Sequence, residues 1–333
     1  MRETTFLKQN EKKWKEFEAL LAKKKGAVSP DQIAGLFVEI TDDLAYARTH
    51  YPQSNTTKYL NGLAGKVHLA IVRNKKEKSS RFWDFWRFEL PSIMAHSQWK
   101  MFYSLLAFAI GIFIGVVSTL YDENFLRLIL GDGYVDMTIQ NIKAGDPFGR
   151  LYGDMGEFQM FLGITMNNLK VGVIVFILGI LFSVGTTWFV WYHGVMVGAF
   201  QAFFYQYGLL GESFASIYVH GTFELSMLVI EGAAGLTLGN ALLFPGTYSR
   251  LESLKRGAVK GVKIAIGVMP FTIVAGFLEG FVTRYSGMPL ALSLFIIFGS
   301  LAIVVYYFII YPLRLKSHGI DKEYLKDGAY GKI

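Results

Sequence analysis

The chain has no cysteine among its 333 residues. Disulfides, thiol catalysis and cysteine-ligated zinc or iron–sulfur centres are therefore excluded, and histidine and carboxylates remain as the side chains able to hold a metal. A phosphate loop, a serine-nucleophile elbow and a dinucleotide fingerprint are also missing, because the glycines fall in apolar runs or isolated turns. An ATPase or a dehydrogenase is disfavoured. The first 20 residues, MRETTFLKQNEKKWKEFEAL, lack a seven-residue apolar core. No cleavable signal peptide is expected, insertion is expected to use an internal span, and the amino terminus is expected to stay in the cytoplasm. No internal repeat or low-complexity segment is evident.

What is abundant is apolar surface. Hydrophobic residues make up 52% and aromatics 16% of the chain, and the mean hydropathy is +0.34. This composition predicts an all-α polytopic membrane protein. Residues 1–99 read as a cytoplasmic helical domain with turn signals at SPDQ (29–32) and YPQSN (51–55). It ends in SSRFWDFWRFELPSIM (79–94), whose aromatics interleave with arginines as in an interfacial helix, or else form the core of the soluble domain.

Residues 100–333 read as a transmembrane domain of about six helices. The predicted spans are 100–120, 170–190, 194–208, 214–245, 262–283 and 289–311, with a tight turn at Trp191, Tyr192 and His193, an extracytoplasmic loop at 121–158 and a short cytoplasmic tail. The basic residues support this topology. Of 33 lysines and arginines, only Arg127, Lys143, Arg150, Lys170 and Arg284 fall outside or at the outer edge, so 33 − 5 = 28 fall inside. The net charge of +7 thus reports orientation, and RNKKEK (73–78) is expected to meet anionic lipid, with no nucleic-acid partner.

The stretch YVHGTFELSMLVIEGAAGLTLG (218–239) carries three ionisable groups in an apolar run. At about 100° per residue, Glu224 lies about 40° and Glu231 about 20° around the helix from His220. A charge facing lipid costs at least ~2.5–3.5 kcal/mol, so this stripe is expected to face protein or water. Asn167 or Asn168 and Glu279 fall at the same outer-leaflet depth in the predicted topology. A cluster of Asn167, Asn168, His220, Glu224, Glu231 and Glu279 is therefore the candidate site. It admits a structural hydrogen-bonded network, a proton or cation path in a transporter, or a metal held by His220, Glu224 and Glu279. The HxxxE spacing lacks the second histidine of a zinc-hydrolase helix, so no cofactor is expected and an intramembrane metallohydrolase is a subsidiary reading.

Gly111 and Gly115, Gly235 and Gly239, and Gly257 and Gly261 each form GxxxG, which lets helices approach closely within one chain or between subunits of a homo-oligomer. Pro270 is expected to kink its helix below Glu279.

Three stretches, MNNLKVGVIVFILGILFSVGT (166–186), VHGTFELSMLVIEGAAGLTLG (219–239) and IVAGFLEGFVT (273–283), resemble the stage II sporulation protein M family of prokaryotic membrane proteins. TDDLAYART (41–49) and YLNGLAGKVH (59–68) are similar to its broader branch. The family pattern falls on Asn167, Asn168, His220, Gly221, Glu224, Gly232, Gly235 and Glu279. One departure is His193, where asparagine is expected before Gly194. The resemblance implies a non-enzymatic scaffold or anchor in the prokaryotic cytoplasmic membrane, both termini inside, whose partners are envelope or peptidoglycan-processing proteins. A transporter or ion-coupled permease is the alternative.

Overall fold

The computed structural model describes residues 1–22, 30–73, 81–147, 156–283 and 288–321, and every regular element among them is helical. Most of RNKKEK, part of the 121–158 loop including Arg150, the first residue of SPDQ, and Arg284 lie outside the described residues. The chain divides into two compact units, Met1–Arg81 and Phe82–Ile333.

In the first unit, α1 (Glu3–Ala22), α2 (Pro30–His50) and α3 (Asn55–Arg73) bring together apolar residues at helical spacing. Trp14 and Phe17 from α1, Ile40, Leu44 and Ala47 from α2, and Leu60, Leu63 and Ala64 from α3 form a closed core. The Trp14 indole N–H donates to Asp43 Oδ2 at 2.8 Å, so the largest core side chain keeps its polar atom satisfied. The break at YPQSN falls where expected: Ser54 Oγ accepts from the Thr57 amide at 3.1 Å and caps α3.

The boundary differs from the expected 99/100. After α4 (Arg81–Asp84) and a π-turn (Phe85–Glu89), α5 (Leu90–Ala95) buries Leu90, Ile93 and Met94 in the core of the second unit. Tyr307 and Tyr311 donate to the carbonyls of Trp86 and Arg87, at 2.6 and 2.7 Å. Lys263 pairs with Glu89. The aromatic segment thus belongs with the membrane unit. Phe82 and Trp83 stay exposed at its start.

The long helices of this unit are α6 (Gln98–Tyr121), α9 (Glu157–Ile177, extended by a 3-10 turn to Ile180), α10 (Val184–Gln206), α11 (Leu210–Leu243), α12 (Arg250–Phe277, extended by a π-turn Leu278–Thr283) and α13 (Leu290–Val305). A second π-turn (Tyr306–Ile310) and α14 (Tyr311–Ser317) continue the last of these. Five helical segments, starting with α6, α9, α11, α12 and α13, are long and apolar enough to span a membrane. α10 has the length, but its Trp188, Trp191, Tyr192, His193 and Gln201 lower its apolarity, and it is not among the five. Many large apolar side chains, such as Phe113, Val184, Phe295 and Phe298, point outward, as a lipid-facing surface requires.

α11 is the hub. It is the most buried of the five, and Phe223, Met227, Ile230 and Ala234 face α5, α12 and the last helix while Leu228 and Val229 face α6, α9 and α10. Glycine explains how one helix accepts so many neighbours. A Cβ at Gly232 would sit 2.1 Å from Ser104 Oγ, and one at Gly235 would sit 2.3 Å from Thr186 Oγ1. α6 and α10 run parallel with backbones in contact. A Cβ at Gly111 or Gly115 would lie 2.2 Å from the carbonyl oxygen of Trp191 or Val195, and Gly194 and Gly198 meet Phe108 and Ile112 in return. The expected GxxxG pairs thus serve packing inside the chain.

Two expectations about the chain path are corrected. The turn between the second and third long helices lies at Leu181–Ser183, while Trp191–His193 sit inside α10. Phe182 and Ser183 take positive φ, 53° and 67°. This conformation is costly outside glycine. Neighbouring contacts hold it: the turn seats against α11, where a Cβ at Gly179 would be 2.1 Å from the Gly235 carbonyl oxygen and one at Gly239 would be 2.2 Å from Ser183 Oγ. The second correction concerns 121–158, which contains α7 (Glu123–Leu130) and α8 (Asp132–Lys143). Asp122 caps α7 by accepting from the Asn124 amide at 2.9 Å, and Gly131 at φ 86° separates the two helices. Leu126 and Val135 pack on Ala199, Phe203 and Phe204 of α10, so this segment is docked. Pro270 lies within α12, which continues to Phe277.

Candidate functional site

The cluster is built where three helices meet. α9 and α12 run antiparallel and close, because a Cβ at Gly276 would lie 2.3 Å from Thr165 Oγ1 and one at Gly280 would lie 3.1 Å from the Phe161 backbone. This approach sets the α12 π-turn beside the start of α11. A π-turn accommodates one extra residue and redirects the side chains within it, and such turns often occur at functional positions. Glu279 is its second residue.

His220, Glu224 and Glu279 offer ligand atoms that all lie within 4.8 Å of one another. His220 is buried, and Glu224 and Glu279 are half-buried. His220 Nδ1 is 3.2 Å from Thr283 Oγ1, and its Nε2 is 3.9 Å from Glu279 Oε2. Thr283 Oγ1 also lies within hydrogen-bonding range of the Leu278 and Glu279 carbonyls, at 3.3 and 3.2 Å. From α9, the Asn168 side chain lies beside Glu224, and its Nδ2 is buried without a well-formed hydrogen bond among the described residues.

The remaining candidates part from this group. Asn167 is exposed and reaches only the neighbouring Asn168 Oδ1, at 3.5 Å, so the choice between the two asparagines falls to Asn168. Glu231 stays on the stripe, but it lies seven residues beyond Glu224, about 10 Å along the axis. It is buried against Gly172 of α9, where a Cβ would overlap its Oε1. Gly221, expected as a packing glycine, is loosely surrounded: the nearest atom to an added Cβ is Ile217 Cγ2 at 3.7 Å. His193 faces its own helix, with Nδ1 3.0 Å from the Phe189 carbonyl and its ring stacked on Phe189.

Three residues, Thr283, Gly194 and Gly198, escaped sequence reasoning. Thr283 has no motif of its own and becomes visible only once the π-turn aims it at His220. Gly194 and Gly198 do repeat the GxxxG spacing inside WYHGVMVGAF, and that signal was available.

Apolar helices around a buried polar cluster, with close contacts made through small residues, define an all-helical integral membrane protein. The family model described as Stage II sporulation protein M matches residues 104–284, more than half of the chain and all of the His–Glu–Glu cluster. The chain belongs to the stage II sporulation protein M family. A second model, described as a domain of unknown function (DUF8413), matches residues 4–73, which are the three helices of the first unit. No curated protein and no solved structure gives a significant match.

Proposed function

We propose that this protein is a non-enzymatic membrane anchor for cell-envelope complexes, with peptidoglycan-processing proteins as partners. The observation that carries the reading is the docked α7–α8 pair. Leu126 and Val135 fix it to Ala199, Phe203 and Phe204, and Arg127 ties its two helices together through Asp136 at 2.9 Å and Asp132 at 3.1 Å. The exterior segment therefore offers a fixed, acidic surface, and a preformed surface binds without the entropy cost of ordering a loop.

In this reading the chain crosses the prokaryotic cytoplasmic membrane six times. α10 serves as the sixth span, shielded by α6 on one side and α11 on another, and both termini lie in the cytoplasm. The distribution of lysine and arginine supports that orientation. The first unit, with its own core, supplies a separate cytoplasmic surface.

Photo-crosslinking from the platform in intact cells tests the reading. A benzophenone amino acid at Leu128 or Asp132, both well exposed, is expected to trap proteins that carry an exported peptidoglycan-active domain. Adducts confined to lipid or to copies of this chain, at both positions, would overturn the anchor.

A further inference from the structure

The His220–Glu224–Glu279 cluster brings three metal-ligating side chains from two helices within reach of one another. The carbonyls of Leu278 and Glu279 are both in range of the Thr283 hydroxyl. If the hydroxyl donates to either of them, its oxygen is left to accept from His220 Nδ1–H at 3.2 Å. Nε2 then presents a lone pair to Glu279 Oε2 across 3.9 Å. Two electron-rich atoms facing each other repel unless a proton or a metal ion lies between them. In the opposite tautomer Nε2–H points at the carboxylate, yet 3.9 Å is too long for a hydrogen bond.

The gap suits a different kind of occupant. Two donors about 2.1 Å from one ion, at tetrahedral or octahedral angles, stand about 3–3.5 Å apart. A carboxylate rotation of order 1 Å brings the three donors, now within 4.8 Å of one another, into that range. We propose that His220, Glu224 and Glu279 form a binding site for one divalent first-row transition-metal ion, of which Zn²⁺ and Mn²⁺ are the probes.

Charge and donor chemistry both favour this class. Two carboxylates and a divalent cation sum to zero, and a neutral site suits the membrane interior. The imidazole selects against Ca²⁺ and Mg²⁺, which take oxygen ligands in larger number. Thr283 holds Nδ1 and thereby fixes the ring with Nε2 toward the ion, as an outer partner of a ligating histidine does. Asn168 stands beside Glu224 and interacts with its carboxylate, in a geometry short of a well-formed hydrogen bond among the described residues. An amide rotation would give the ion a fourth, oxygen donor. Thr165, one turn before Asn168, is buried against Gly276 with no hydrogen-bond partner for its hydroxyl among the described residues. The ion would clasp α11 to the α12 π-turn, independently of any anchoring role.

The test uses the full chain in detergent micelles. After stripping with chelator, the protein is loaded with Zn²⁺, Mn²⁺, Mg²⁺ or Ca²⁺, passed over a chelating column, and its metal content measured. The expected result is one equivalent of Zn²⁺ or Mn²⁺ per chain. Affinity should fall at least about tenfold in Glu224→Gln and Glu279→Gln, and by a smaller factor in Thr283→Val. The absence of cysteine gives a second readout that does not depend on those variants folding well. Co²⁺-loaded His220→Cys should show a thiolate-to-cobalt charge-transfer band that the wild type lacks.

Substoichiometric metal in the wild type overturns the proposal. So does undiminished metal in well-folded glutamate variants, which keep the other five histidines and would then reveal adventitious binding. A preference for Mg²⁺ or Ca²⁺ over both transition ions, or no cobalt–thiolate band in folded His220→Cys, is equally contradictory.

Discussion

At the scale of single residues, the fold depends on where a hydrogen stands in place of a methyl. Gly111 faces the Trp191 carbonyl so closely that a Cβ would lie 2.2 Å away, and the obstacle is backbone, which cannot rotate aside. Gly111→Ala is expected to destabilise the protein by about 1–3 kcal/mol, the usual cost of overpacking, read as a lowered midpoint of unfolding in detergent. Gly221→Ala has the opposite expectation. The nearest atom would be 3.7 Å away, so the helix gains up to about 1 kcal/mol from alanine, and the midpoint should hold or rise. Equal losses from the two substitutions would show that the glycine contacts are misassigned. Gly111 meets a neighbouring backbone and Gly221 does not, a difference hidden in the sequence because spacing alone does not say which face of a helix meets a neighbour. His220 and Glu224 were legible as a pair because hydrocarbon makes charge conspicuous. Thr283 was not, because a threonine can satisfy itself on its own backbone and carries no such mark.

At the scale of elements, the turn at Leu181–Ser183 shows why the hairpin was misplaced. Sequence punctuation reads glycine, proline and asparagine within a turn, whereas Phe182 and Ser183 hold positive φ because Gly235 and Gly239 across the interface admit them. Gly239→Val is therefore expected to disturb the α9–α10 turn, two elements away in sequence. Faster amide exchange at 179–185 than in the wild type would report it, and unchanged protection there would contradict the docking.

The α7–α8 pair was read as a loop because its short amphipathic helices lie among turn-forming residues. Its docking predicts that Phe204→Ala, which empties a fully buried position, costs about 3–5 kcal/mol locally. Limited proteolysis should then cut within 122–147 while α11 remains protected. Tyr134 of α8 adds a pH dependence. Burial pushes its hydroxyl up to about 12, so the docked state binds its proton more tightly than the undocked state does. The stabilisation is complete below the ordinary tyrosine pKa and is lost as pH rises from there through about 12. Alkaline difference spectra should show Tyr134 ionising late and together with increased cleavage of the segment. Ionisation at the ordinary tyrosine pKa would contradict its burial.

At the scale of the whole molecule, two units with separate cores share one chain. The first is self-contained in its packing, with Trp14, Phe17, Ile40, Leu60 and Leu63 nearly inaccessible, and residues 1–81 are expected to unfold as one cooperative helical transition when expressed alone. A gradual, non-cooperative melt would show that they depend on the rest of the chain. The all-helical class and most of the long apolar segments were legible because lipid requires continuous apolar runs. The unit boundary was not, since the aromatics of 82–95 suit a membrane surface and a protein core equally well.

The second unit draws His220 and Glu224 from α11 and Glu279 from α12 to one place, and this convergence is the central claim. The cysteine-free chain allows a direct measurement in native membranes, with the pairs Glu224→Cys/Glu279→Cys and Glu231→Cys/Glu279→Cys treated with a short bis-thiosulfonate cross-linker and cut by a protease site engineered between α11 and α12. The account predicts that the first pair stays joined after cleavage while the second, with Glu231 about 10 Å further along its helix, separates. Separation of the first pair, or equal joining of both, would contradict it.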